Sequence, residues 1–253
     1  EGRSIMIHNT GDLYLEIELF DQADDYLYES LQFDLKHGDA KDLAISYTTL
    51  GAMYKAWDKP DSAEYYFKKA IAIDEFEEQL DEYSKAILEY ATLNGVSISQ
   101  EERSALTHEA LENFRYMERS DQEVKALIKI SDYFFDQLST DSLSTMLRQA
   151  YSLIQSDDLQ DLSPEYFRIY SRYNSRLGDF EQAYFALDNY LELKMVADER
   201  RRTQDVIAGG IRYKLQAQFE QDSLQQVNQF ATERTEYLED IAEIQNIVYL
   251  SVI

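Results

Sequence analysis

The chain has 253 residues, with eight glycines, two prolines and no cysteine. So few turn-forming residues argue against a β-rich fold and predict helices, and the missing cysteines exclude disulfides, thiolate metal sites and a cysteine nucleophile. The formal net charge of −25 repels phosphate backbones, so we expect this segment to bind no nucleic acid.

From the first residues onward, the same pattern of small and large side chains recurs every forty residues. Apolar residues at steps of three and four lie on one face of a helix, and a small residue lets two helices cross closely. The small column contains Gly11, Gly51, Ala91, Ser131 and Ser171, and the large column, four positions earlier, contains Ile7, Tyr47, Ile87, Leu127 and Phe167. Each unit is therefore predicted to be an antiparallel helix pair, in which alanine at position 51 is tolerated and leucine is not.

The period divides residues 1–222 into units. The predicted units lie near 4–43, 44–83, 84–123, 124–163 and 164–203, with a partial unit at 204–222. Helix starts are indicated by Pro60 in a first turn, by the capping box that Ser99 opens, and by Ser163 as N-cap before a proline. Arg103 and Leu143 replace the small residue of the second helix in units three and four, and we expect both to hold their helices further apart.

Residues 223–253 follow a period of 3.5 instead. Seven of the nine heptad positions are apolar, in the series Leu224, Val227, Ala231, Arg234, Leu238, Ile241, Gln245, Val248 and Val252. This pattern predicts a long coiled-coil helix that forms a parallel homodimer through 224–253. An amphipathic helix folded back on the array is the alternative, and it stays open.

The repeat resembles the tetratricopeptide repeat (TPR) family. The resemblance is closest over residues 44–74 and covers residues 4 to about 203, with a period of 40 where 34 is usual. The matching residues are Tyr47, Leu50, Gly51, Tyr54, Ala63, Phe67 and Ala70, with a second match in LGDFEQA at 177–183. The resemblance implies an all-α fold, a right-handed superhelix of five to six helix hairpins followed by the long C-terminal helix.

The order of segments resembles a second arrangement. Membrane-anchored bacterial regulators carry an extracytoplasmic TPR array, a coiled linker, one membrane span and a cytoplasmic kinase or DNA-binding output. Residues 247–253, IVYLSVI, are apolar like the start of a span, so we expect membrane anchoring beyond Ile253. This resemblance implies a periplasmic, signal-sensing module, as in two-component systems. The alternative is a soluble cytoplasmic TPR adaptor or scaffold.

Residues that could carry catalysis are scattered. The three histidines, His8, His37 and His108, fall on different helices and a linker, and no metal-protease, phosphate-loop or dinucleotide motif is present. We therefore expect binding to proteins or peptides rather than catalysis, with no cofactor and no metal. A helical enzyme is the third and least favoured class.

Five basic residues are predicted to face one groove. In the TPR family the first helix of each pair lines the concave groove, and this resemblance places Lys125, Lys129, Arg168, Arg172 and Arg176 there. Such a stripe in an acidic chain would suit an acidic partner segment.

Two observations bear on this prediction. Lys125 and Lys129 match two basic positions with which some TPR proteins hold a carboxylate, but Thr48, Ala52 and Glu89 stand where the other ligands would be. The alternative is that the stripe pairs with the chain's own acids, such as Asp132 and Asp136, because exposed ion pairs are common.

Overall fold

The computed structural model describes residues 2–73, 80–200 and 202–203. Over these ranges the protein consists of helices and turns, with no strand, so the predicted all-α fold is confirmed. The α-helices are α1 (Gly2–Glu16), α2 (Phe20–His37), α3 (Ala40–Ala56), α4 (Pro60–Ile71), α5 (Leu80–Ala91), α6 (Gln100–Tyr116), α7 (Ser120–Tyr133), α8 (Thr140–Ser156) and α9 (Ser163–Leu177). A 3₁₀ turn, Gln160–Leu162, precedes α9, and residues 180–200 are helical as well.

Neighbouring helices pack as antiparallel pairs in a TPR-like superhelical stack. α1 packs on α2, α3 on α4, α5 on α6 and α7 on α8, and each pair also packs on the next through its adjoining helices. The first helices are neighbours too, since α3 contacts α5 and α7 contacts α9. The stack is one compact unit that ends at Leu191, and the described residues 192–200 and 202–203, which are helical, belong to a second unit. First helices that touch across successive pairs can together build a continuous surface.

The helices cross at the small residues that the sequence singles out. A Cβ at Gly51 would lie 2.6 Å from ring carbons of Phe67, and one at Gly11 would lie 2.6 Å from Cγ of Leu27. Ala91, Ser131 and Ser171 are buried in the same column. The column of small residues therefore marks close helix crossings. At Gly51 the Phe67 ring fills the space that a methyl group would need, so the structure argues against the expectation that alanine is tolerated there.

Side chains cap several helix starts. Ser99 accepts a hydrogen bond from the backbone N–H of Glu102, which is the serine half of the predicted capping box, and Pro60 stands in the first turn of α4 as predicted. Ser163 differs: the 3₁₀ turn runs directly into α9, so Ser163 is the first helical residue and its hydroxyl donates to Gln160 instead of capping. The N-cap prediction for Ser163 is therefore wrong, because a preceding helical turn already satisfies the backbone there.

Arg103 holds the long loop between α5 and α6. Its guanidinium is buried and donates to three backbone carbonyls, those of Ala91 at 2.6 Å, Leu93 at 2.9 Å and Val96 at 3.2 Å. It also lies 5.4 Å from the ring centroid of Tyr133 on α7. A residue expected only to push two helices apart thus orders residues 92–99 and joins that loop to the next helix pair.

The chain's single tryptophan lies at the end of α3. Trp57 stacks on Phe20 and on Tyr54, with ring centroids 5.7 and 6.1 Å apart, and the ammonium of Lys59 lies 3.0 Å from the centroid of the indole ring. This cluster joins α2 and α3, the helices at the junction of the first two pairs.

Two sequence predictions concern residues outside the described ranges. The partial unit at 204–222 and the heptad helix at 223–253 belong to this part of the chain, and both stay predictions. Among the helices that the structure does describe, none combines the length and apolar character needed to span a bilayer.

Candidate functional site

The first helices of four successive pairs line a pocket of about 740 Å³. Residues of α3, α5, α7 and α9 contribute to its wall, together with Thr92 and Asn94 from the loop that Arg103 orders. The charged lining consists of five basic side chains, Lys55, Lys85, Lys125, Lys129 and Arg168, and three carboxylates, Glu89, Asp132 and Glu165. The lining therefore has a formal charge of +2 in a chain whose net charge is −25.

Glu89 stands between two lysines of this lining. Lys55 donates to one carboxylate oxygen of Glu89 at 2.8 Å, and Lys129 donates to the other. Burial alone would raise the pKa of Glu89, but the two ammonium groups outweigh it and leave that pKa below its ordinary value. Burial lowers the pKa of Lys129, and the charge of Lys55 adds to this while Glu89 opposes it. The three residues come from α5, α3 and α7.

Asp132 pairs with two arginines of α9. Both terminal nitrogens of Arg168 donate to Asp132, at 3.3 and 2.7 Å, and its Nε donates to Glu165 at 2.8 Å. Arg172 donates to the same carboxylate. Hydrogen bonding to Asp132 raises the pKa of Arg168 above its ordinary value, although burial opposes the shift. These two arginines therefore pair with an acid of the chain itself, which is the alternative to partner binding. The acid is Asp132, and the exposed Asp136 takes no part in these pairs.

The structure divides the predicted basic stripe. Lys125, Lys129 and Arg168 line the pocket, whereas Arg172 and Arg176 lie beside it against Phe135. The guanidinium of Arg172 is 4.1 Å from the centroid of that ring, and Arg176 donates to the Phe135 carbonyl at 2.8 Å. These two arginines have contacts that fasten α9 to the end of α7.

Lys125 differs from the other basic residues of the pocket. Its side chain is exposed, and it has no ion pair with any residue that the structure describes. Lys85, one repeat earlier, is instead held by Asp81 and Glu82, each at 2.7 Å. Lys125 is therefore the lysine of the lining whose charge is most available to a ligand.

Sequence reasoning missed Lys55 and Lys85 and gave Glu89 no role. A usable signal was present: Glu89 and Lys129 are 40 residues apart, as are Asp132 and Arg172. In a stack of identical units, residues one period apart are neighbours on adjacent first helices. Opposite charges at that separation predict an ion pair. Lys55 has no such partner one period away, so its place in the pocket follows only from the structure.

The chemistry available in this pocket is the recognition of anions and hydrogen-bonding groups. Ammonium and guanidinium groups donate to carboxylates, and Thr92, Asn94, Gln122 and Gln137 offer neutral partners. Within the described residues, no group of three or more potential ligands could hold a metal ion.

The arrangement of paired helices agrees with comparisons to known proteins. The tetratricopeptide repeat family model matches residues 3–75. That segment holds the first two helix pairs, and the match supports a tetratricopeptide repeat there. No curated protein sequence matches the chain.

Solved structures show the same architecture. Thirty-one of their chains match, among them BtubC (BKLC) from P. vanneervenii, with a TM-score of 0.60 and 19% sequence identity, over 76% of this chain and 80% of that one. At that identity the likeness concerns the fold alone, and it extends over helix pairs well beyond residue 75.

Proposed function

We propose that the chain is a protein-interaction module that receives an acidic segment of a partner in the pocket along α3, α5, α7 and α9. The observation that carries this proposal is the lining of the pocket, where basic groups outnumber carboxylates on a strongly acidic chain. Like charges on the rest of the molecule repel an acidic partner, so the pocket is the favoured place of contact.

The size and construction of the pocket suit a polypeptide segment. A volume of about 740 Å³ lies within the range of sites that hold small ligands or a few side chains. The wall is built from parallel first helices, and such a surface presents charged groups at regular intervals along its length. Long phosphate polymers fit less well, because they would meet the acidic surface on either side.

The test compares partners captured by three forms of the chain. Lys125→Glu places a carboxylate in the pocket at an exposed site with no described ion pair, so the fold is preserved. We expect it to weaken association with an acidic partner at least about tenfold, with a smaller salt dependence than the wild type.

Arg148→Glu is the matched control, because Arg148 is exposed on α8 and does not line the pocket. Source-cell lysate is passed over each immobilised form, and every protein that differs is then titrated. Identical partner sets and affinities for Lys125→Glu and wild type would refute the pocket as the recognition surface.

We further propose a setting for this module, the periplasmic sensing part of a membrane-anchored bacterial signalling protein that dimerises through 224–253. The support is the order of segments in the sequence, a repeat array, then heptads, then the apolar residues 247–253. The alternative is a soluble cytoplasmic adaptor. Fractionation of the source cell with an antibody against residues 80–200 separates them, since the first predicts a membrane-bound band and the second a soluble one.

A further inference from the structure

The carboxylate of Glu89 is shared by two lysines from neighbouring pairs. Lys55 comes from the end of α3 and Lys129 from the second half of α7, and both meet Glu89 on α5 between them. One negative charge therefore balances two positive ones. The next carboxylate of the lining, Asp132, is already engaged by Arg168 and Arg172.

The group of Glu89, Lys55 and Lys129 is one negative charge short. Lys125 lies one turn before Lys129 on α7 and adds a third ammonium to the same pocket. Partly buried like charges raise one another's free energy, and an anion that entered beside them would relieve that repulsion. Burial is the main cause of the lowered pKa of Lys129, and the nearby charge of Lys55 lowers it further.

We propose that Glu89 is an internal competitor for the anion site of this pocket: a carboxylate of an incoming acidic segment takes over Lys129 and Lys55 from it. The inference rests on the proposed function and adds a regulatory element to the same site. Glu89 keeps the two lysines ordered and shielded when no partner is bound. It also weakens every anionic ligand, because binding must break two existing ion pairs before the new ones form.

Removal of the competing charge should therefore strengthen binding. In Glu89→Gln the amide keeps the shape of the side chain, and its oxygen can still accept from one lysine. The pocket gains one unit of positive charge, and a ligand carboxylate no longer has to displace an anion. For a typical interaction residue, removal of a contact weakens binding, so the expected sign distinguishes a competitor from a structural or ligand-binding residue.

The experiment titrates a fluorescein-labelled hexaglutamate peptide into the full chain and follows its anisotropy at low and at raised salt. We expect Glu89→Gln to bind the peptide at least fivefold more tightly than wild type. Glu165→Gln is the matched control, since Glu165 lines the same pocket and pairs only with Arg168 among the described residues. This variant changes the pocket's charge equally and should change affinity less than twofold.

A second variant covers the case in which Glu89→Gln does not fold. Glu89→Asp keeps the counter-charge but is one methylene shorter, so it holds the lysines less closely and should bind the peptide more tightly than wild type by a smaller factor. The proposal is overturned if neither variant gains affinity, if Glu165→Gln gains as much as Glu89→Gln, or if no form binds the peptide.

Failure of this inference is distinguishable from failure of the proposed function. If Lys125→Glu loses its captured partner while Glu89→Gln binds hexaglutamate no better than wild type, the pocket is a recognition site and Glu89 is not its competitor. If Lys125→Glu keeps every partner, the proposed function fails independently of Glu89.

Discussion

Gly51 shows how closely one position depends on the residue across from it. Ala91 occupies the same column one repeat later, which is why the sequence predicts that alanine is acceptable at both places. The residue equivalent to Phe67 at that repeat is Thr107, a much smaller side chain. Each crossing is thus filled by a pair of residues whose combined size is limited, and one column alone cannot predict tolerance.

We expect Gly51→Ala to lower the free energy of unfolding by roughly 1–3 kcal/mol, because the new methyl group overlaps the buried Phe67 ring. In the double variant Gly51→Ala/Phe67→Leu the smaller side chain makes room, so the two changes together should cost about 1 kcal/mol less than the sum of the single changes. Urea unfolding of the four proteins measures this coupling. Additive costs would mean that the two residues do not limit one another.

At the scale of the helix, the spacing of apolar residues predicts which helices pair, but it does not predict the hydrogen bonds at helix starts and in loops. The pairs α3–α4 and α7–α8 follow from apolar steps of three and four, because burial requires one continuous face. The start at Ser163 was misplaced because a 3₁₀ turn satisfies the backbone groups that a cap would satisfy. The role of Arg103 was missed because its carbonyl partners lie in a loop whose path the repeat does not determine.

The loop between α5 and α6 should depend on Arg103. In Arg103→Met the three carbonyls lose their charged donor in a buried place, and we expect a loss of about 3 kcal/mol in the free energy of unfolding. Hydrogen exchange should quicken over residues 92–99. The control is Arg148→Met on α8, where an exposed arginine should change stability by less than about 0.5 kcal/mol. Equal effects of the two substitutions would contradict a clamping role.

For the whole molecule, the sequence predicts the stack better than the pocket. A period of forty specifies which residues recur on each first helix, and the resemblance to TPR arrays places Lys125, Lys129 and Arg168 on the groove side of those helices. Which of them pair internally depends on how far each helix is offset from the next. That offset arises from packing of many side chains at once, and for this reason Lys55 could not be found from spacing.

Stability of the stack should fall in alkaline solution. Burial raises the pKa of six tyrosines of the described residues, among them Tyr83, whose pKa rises from 10.0 to about 12, with a hydrogen bond to Glu109 also contributing. A raised folded-state pKa gives stability that is complete below pH 10 and is lost as pH rises through the folded pKa. The lowered pKa of Lys129 changes stability with pH in the opposite direction, but it is a single group against six tyrosines.

We therefore expect the urea midpoint to fall between about pH 10 and about pH 12, with the tyrosinate absorbance of these six tyrosines appearing together with unfolding. Tyr83→Phe cannot ionise at this site and should lose part of the alkaline sensitivity. A midpoint that stays constant over the interval would show that these phenols are as accessible in the folded chain as in the unfolded one.

The indole of Trp57, beneath the Lys59 ammonium, gives the chain an intrinsic fluorescent probe. Because it is the only tryptophan, its emission describes the junction of the first two helix pairs and nothing else, whereas circular dichroism averages over every helix. Stacked repeats are stabilised mainly by their nearest neighbours, so one end of the array can open before the rest. Comparing the two signals during one denaturation therefore reveals whether this stack melts as a unit or unravels from its N-terminal end, without any label being attached.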